Sequence, residues 1–144
     1  MELILVKCLI GIDLGTSAVK AAVFNESGGL MAQDDDRLRL ISKAPGWVEQ
    51  DPMEYWDTTM ACAGEAFAKG GVEAGEIAAI GITCQRETTV MWDKDTRKPV
   101  YNAIVWQSRQ TAGLCEELKA RGYEKMVREK TGLVIDAYFS GTKI

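Results

Sequence analysis

The chain has 144 residues, 47% of them hydrophobic and 26% charged, the balance of one ordinary globular domain and not of a disordered or fibrous chain. Its net charge of -4 argues against nucleic acid or an anionic membrane as the main partner, because both are bound through basic patches. There is no histidine, so the commonest metal ligand and the commonest general base are both missing, and acid–base work falls to carboxylates.

The opening MELILVKCLI is apolar but too short to span a bilayer, and no cationic stretch precedes it. This predicts a cytoplasmic chain without a signal peptide. Residues 3–14 are rich in Leu, Ile and Val, run into Gly15-Thr16-Ser17, and are followed by a second apolar run over residues 19–24, which predicts a β-hairpin. A turn from Asn25 to Gly29 leads into a third antiparallel strand over residues 30–41, with Asp34, Asp35 and Asp36 on a solvated face.

Asp51-Pro52-Met53-Glu54 marks a helix start: a capping Asp, Pro at the first helical position, and a Glu that reaches back to the cap. Met53, Trp56, Met60, Ala63 and Phe67 recur at helical spacing and predict the core-packing face, and Gly70-Gly71 ends the helix. Residues 77–83 predict a buried strand. Residues 88–92 and 100–105 predict two more, around the turn-rich stretch 93–98. Residues 107–121 predict a helix with Thr111, Leu114, Cys115 and Leu118 on one face, broken by Gly122. A second, short helix ends near Thr131-Gly132, and its interleaved Lys and Glu residues read as a solvated face. Ser140 reads as a helix cap with too little chain behind it for a stable helix. Cys8, Cys62, Cys84 and Cys115 form no CxxC and predict buried free thiols in a reducing cytosol. The element order predicts an α/β fold with a mixed sheet and flanking helices.

Three groups of residues are equipped for chemistry. In Gly11-Ile12-Asp13-Leu14-Gly15-Thr16-Ser17, with Lys20 downstream, a Gly turn can aim backbone N–H groups at a phosphate. The Thr16 and Ser17 hydroxyls add donors, and Asp13 suits Mg²⁺, bound directly or through water. The same residues also make an ordinary hairpin.

The second group is Gly81-Ile82-Thr83-Cys84-Gln85-Arg86-Glu87-Thr88-Thr89, at the end of a predicted strand. Arg86 offers five donors and Glu87 two acceptor oxygens, which suits a polyol whose hydroxyls both donate and accept; a surface ion pair is the plainer reading. Neighbouring side chains of a regular strand point to opposite faces, so the two reach one ligand only if the backbone turns there. In the third group, the rings of Trp106 and Tyr138 suit either the C–H face of a polyol or ordinary core packing.

GIDLGTSAVKAAVF resembles the first phosphate motif of the actin-like ATPase superfamily, which includes sugar kinases, actins and heat-shock chaperone ATPases and has a ribonuclease H-like fold. The resemblance implies that Asp13 lies near the metal and that Gly15, Thr16 and Ser17 approach the γ-phosphate of ATP. Lys20 stands where glycerol kinases usually have an arginine; it keeps the charge but not the bidentate fork.

GWVEQDPMEYW, GITCQRETTVMWD, YNAIVWQSRQT and REKTGLVIDAYFSGTKI look like successive segments of glycerol kinases, in the FGGY carbohydrate kinase family. The likeness covers nearly the whole chain, with residues 28–39 uninformative. It implies a truncated N-terminal, FGGY_N-type domain over residues 1–144, in which Arg86 and Glu87 hold glycerol hydroxyls beside Trp106 and Tyr138. ATP and Mg²⁺ are the implied cofactors. The general base and the second nucleotide-binding domain are expected beyond Ile144, so that no catalytic residue lies in this chain and it is expected to be inactive alone.

Gln50, Cys84, Ser108 and Gln110 depart from the commonest pattern (His, Asn, Asp and Arg) without touching the four polyol positions. Cys84 is expected to tune substrate preference. The alternatives are another FGGY sugar kinase, of xylulose or gluconate type, and a non-catalytic structural or interaction module. The Gln-Arg-Glu-Thr-Thr segment favours the glycerol type, and the abrupt end counts against the module. A missing sheet partner would expose apolar surface and promote self-association.

Overall fold

The computed structural model describes residues 7–144, so the predicted strand start at Leu3 lies outside the described residues. In chain order the elements are β1 (Cys8–Leu14), β2 (Ala18–Phe24), β3 (Leu30–Arg37), β4 (Glu49–Gln50), α1 (Pro52–Gly70), β5 (Ile77–Cys84), β6 (Ala103–Ile104), α2 (Ala112–Ala120) and α3 (Glu124–Thr131). They divide into two compact units. One runs to Arg39 and resumes at Met53–Gln85; the other comprises Leu40–Pro52 and Arg86–Ile144.

In the first unit, the predicted hairpin forms β1 and β2, paired antiparallel with Ile10 opposite Val23 and Asp13 opposite Lys20. β3 adds antiparallel to β2 and β5 adds parallel to β1, giving a mixed sheet in the order β3-β2-β1-β5. Strand alternation sorts the side chains. Cys8 and Ile10 of β1 and Val19, Ala21 and Val23 of β2 are buried. Leu38, Cys62, Ala66 and Val72 complete this core, with Tyr55, Ala63 and Phe67 packed against it. Fully burying Val19 or Val23 contributes roughly 1.5–3 kcal/mol each.

The predicted core face of α1 is corrected in part: Ala63 and Phe67 pack against the core as expected, and the other three residues do not. Met53, Trp56 and Met60 are exposed, Trp56 by 60%, and small Cys62 and Ala66 take the buried line. A helix lying close on a sheet needs small side chains where the two meet, so size decides the face that hydropathy spacing alone misassigned. The helix end forms as predicted. Gly71 is left-handed at φ 62, its N–H reaches Ala68 O at 3.3 Å, and Val72 N–H reaches Phe67 O at 3.1 Å, a Schellman closure with both apolar partners in the core.

The strand predicted as buried, β5, is a sheet edge among the described residues, with Ile80 and Ile82 exposed by 62% and 66%. Only its first residue, Ile77, reaches the core cluster. β3 stops at Arg37, short of the predicted Ile41. Asp35 and Asp36 are exposed, while Asp34 pairs with Lys69 of α1.

In the second unit, β4 and β6 pair antiparallel through Glu49–Ile104 and Gln50–Ala103. The strands predicted at 88–92 and 100–105 reduce to β6 and the isolated bridges Thr89–Ile104 and Trp92–Pro99. Pro99 has no N–H to extend a ladder. The intervening turn folds around Asp93, whose carboxylate accepts from the N–H groups of Asp95 and Thr96, with Arg97 left-handed at φ 58.

Glu49 is fully buried. Its carboxylate accepts from Tyr101 Oη at 2.7 Å, Asn102 Nδ2 at 2.8 Å and Lys43 Nζ at 2.9 Å. Burial pushes its pKa up, but the bonds from Lys43, Asn102 and Tyr101 outweigh burial and hold it below the ordinary glutamate value.

The helix predicted from Gln107 begins at Ala112. The residues before it are spent on turns: Ser108 N–H bonds Val105 O, Ser108 Oγ accepts from Val48 N–H, and Arg109 N–H bonds Gly46 O. Cys115 of α2 is buried with Ile135 and Ala137, and Leu118, Tyr123 and Val127 pack around them. Leu114, predicted on the same face, is exposed. α3 ends at left-handed Gly132, φ 75, whose N–H reaches Arg128 O, as predicted. Three cysteines are buried and all four are free; Cys84, predicted buried, is exposed at the end of edge strand β5. No helix among the described residues is long and apolar enough to cross a membrane.

Candidate functional site

The predicted phosphate residues belong to the first unit. Gly15, Thr16 and Ser17 make the turn between β1 and β2. A Cβ at Gly15 would meet Ala18 O at 2.9 Å, so only glycine lets the turn close this tightly without a backbone shift. Gln85 N–H reaches Leu14 O at 2.9 Å, and Thr16 Oγ1 donates to Gln85 Oε1 at 3.0 Å. Gln85 Nε2 in turn donates to Tyr55 Oη of α1. The Thr16 hydroxyl proton is thus engaged by Gln85, while the Ser17 side chain is exposed at the turn.

Asp13 and Lys20 are cross-strand partners, and Asp35 continues the row beside Lys20. They line a concave sheet surface of about 570 Å³ together with Gly11, Gly81 and Thr83. Asp13 is exposed, and its Oδ1 lies 4.0 Å from where a Gly15 Cβ would sit. One carboxylate beside a predicted phosphate turn fits Mg²⁺, which takes one or two carboxylates, waters and phosphate oxygens. Among the described residues no group of three or more His, Cys, Asp or Glu side chains is placed to hold a metal by itself.

The predicted polyol residues belong to the second unit. Glu87 adopts a left-handed backbone, φ 65. The strand has already ended at Cys84, so Arg86 and Glu87 sit where the chain turns and are not bound by the alternation of a regular strand. Glu87 Oε2 accepts two bonds from Ser140, from its N–H at 2.9 Å and its Oγ at 3.0 Å. These bonds, backbone first, with Lys143 and Arg86 nearby, hold the Glu87 carboxyl below its ordinary pKa, which keeps it an acceptor.

Trp106 and Tyr138 meet edge to face, ring centroids 5.8 Å apart at 69°. Trp106 N–H donates to Thr88 Oγ1 at 3.1 Å, one residue beyond Glu87. Tyr138 stacks edgewise on Phe139 at 5.0 Å. Its N–H donates to Asp136 Oδ1, which also takes the Arg109 guanidinium at 2.9 Å.

Further residues join one or the other candidate site through hydrogen bonds. Ser140 was expected to cap a helix, but Phe139 holds that position on a single 3-10 turn, Ser140–Thr142, and Ser140 turns its hydroxyl to Glu87. Lys143 and Tyr55 carry no signal in the sequence as site residues, whereas Gln85 belongs to the second group named from the sequence, without a role of its own.

A family model described as the N-terminal domain of the FGGY family of carbohydrate kinases matches residues 8–144. The chain belongs to the FGGY family of carbohydrate kinases. It is 54% identical over 138 residues to Glycerol kinase 2 of Thermotoga maritima, a match covering 96% of this chain and 28% of that one. Among solved structures, Plasmodium falciparum glycerol kinase with ADP superposes at a TM-score of 0.86 with 30% identity, covering 96% of this chain and 28% of that one. Gluconate kinase from Lactobacillus acidophilus superposes at 0.83 with 26% identity over 92% of this chain and 26% of its own. The FGGY chain described here thus spans somewhat over a quarter of the length of the relatives it matches. The expected α/β, ribonuclease H-like mixed sheet with flanking helices is the fold these FGGY kinases share with it.

Proposed function

We propose that this chain supplies the polyol contacts and the first phosphate turn for ATP-dependent phosphorylation of glycerol at a terminal hydroxyl. One observation carries the reading: Glu87, turned left-handed and fixed by Ser140, shares a unit with Arg86 and with the touching rings of Trp106 and Tyr138. Charged groups then bond the hydroxyls of a small polyol while an aromatic ring covers its C–H face. The high identity to a glycerol kinase favours glycerol over the sugars of xylulose and gluconate kinases.

In this reading the backbone N–H groups of Gly15, Thr16 and Ser17 bind phosphate oxygens of ATP, with Lys20 as a point charge beside them. Asp13 would hold Mg²⁺, which when bound neutralises phosphate charge. Positioning and electrostatics supply most of such catalysis. The exposed isoleucines of edge strand β5 support self-association as part of the same proposal, and the setting proposed is the cytoplasm.

The test exchanges this chain for the matching segment of the Thermotoga maritima relative. The hybrid is expected to form glycerol 3-phosphate from ATP, Mg²⁺ and glycerol, with xylulose and gluconate turned over far more slowly. The 144-residue chain alone is expected to give no product above background. Turnover by the chain alone that Asp13→Ala abolishes would overturn this division of labour, and an inactive but folded hybrid would favour a non-catalytic module.

A further inference from the structure

Lys143 is 7% exposed, unusual for an ammonium group, whose charged form burial disfavours. Its Nζ donates to two backbone carbonyls, Glu87 O at 2.9 Å and Tyr138 O at 2.5 Å. It thereby ties together two chain segments far apart in sequence, each bearing a residue of the polyol set. Glu87 is gripped at both ends: Ser140 takes its carboxylate, and Lys143, three residues further on, takes its carbonyl.

The turn that delivers both donors is itself anchored. Lys143 N–H closes onto Ser140 O at 2.9 Å, and Thr142 Oγ1 meets Thr111 Oγ1 at 2.9 Å beside Cys115. A left-handed backbone at a non-glycine residue is sterically costly, so the Glu87 turn persists because surrounding bonds over-determine it. An apolar side chain would fill the space around Lys143 more cheaply than a charged one. What an apolar residue cannot supply is a donor to both carbonyls.

We propose that Lys143 is a positioning residue for the polyol contacts: by joining the Glu87 and Tyr138 carbonyls, its ammonium holds the Glu87 carboxylate and the Tyr138 ring in one fixed arrangement. The inference rests on the glycerol reading of the same site. Lys143 touches no substrate in this account; it acts through the two residues that do.

The experiment uses the full-length hybrid with the Thermotoga maritima relative and measures KM for glycerol and for ATP separately. Lys143→Met keeps the apolar stem and removes the donors. It is expected to raise KM for glycerol about tenfold and leave KM for ATP within twofold. If the Met variant does not fold, Lys143→Gln, which keeps an amide donor without the charge, is expected to raise KM for glycerol several-fold with the same split. An unchanged glycerol KM in whichever variant folds, or equal rises for glycerol and ATP, overturns the proposal. A parent hybrid that does not phosphorylate glycerol overturns the functional reading itself, and this inference with it.

Discussion

The two candidate sites are built by different means. In the first unit, Asp13, Lys20 and Asp35 stand side by side because strand register puts them there, and the turn between β1 and β2 needs only a glycine and a short braced loop. In the second, Glu87 and Trp106 are held by bonds from residues remote in the sequence, Ser140 and Lys143 on Glu87 and Thr88 on Trp106, while Asp136 and Lys143 hold Tyr138 from close by in the chain. The first arrangement repeats a backbone pattern, with one side-chain brace at its turn that runs from Thr16 through Gln85 to Tyr55. The second is a network, in which one lost bond is felt by several residues.

The largest expected effect probes that dependence. Glu49→Ala removes the buried acceptor shared by Lys43, Tyr101 and Asn102, and losing several hydrogen bonds to one buried carboxylate costs about 3 kcal/mol. Hydrogen exchange should show protection lost at the amides of Thr89, Ile104 and Val105 while the β1 and β2 amides keep theirs. Equal loss in both units would erase the contrast.

A smaller effect is expected from Gly15→Ala, where the new methyl meets Ala18 O; such overpacking costs about 2 kcal/mol. Exchange should now rise at the β1 and β2 amides and leave the second unit unchanged. A fully protected hairpin in this variant would show that the turn can relax.

The smallest concerns pH. The Ser140 bonds lower the folded pKa of Glu87 below the ordinary 4.5. The stability they confer is therefore complete above that value and lost as pH falls through the lower folded one. Protection of the Ser140 and Lys143 amides should fall on acidification through that window, and Glu87→Gln should flatten this part of the curve. No such difference between Glu87 and Gln would mean that the carboxylate's charge does not hold the turn.

Much of the architecture is legible residue by residue. The hairpin follows from two apolar runs around Gly15-Thr16-Ser17, the end of α1 from Gly70-Gly71, and the end of α3 from Gly132, because turn and cap preferences act between near neighbours. The four candidate polyol residues were nameable through family resemblance, and Arg86 and Glu87 also through their donor and acceptor chemistry. Whether their backbone turned was not. The exposed Trp56 and Met60 show the limit of periodicity, which finds an apolar stripe without knowing how closely the sheet must approach it.

By itself, then, the sequence determined the hairpin, the helix ends and the chemical repertoire of the candidate phosphate and polyol residues, since these depend on residue type and short spacing. Only the tertiary structure decided which face of α1 is buried, that β5 is an edge among the described residues, that Glu49 is caged by Lys43, Tyr101 and Asn102, and that Ser140 and Lys143 grip Glu87. Each of these joins groups distant along the chain, and the free energy of such contacts exists only once packing has brought them together and excluded water from between them.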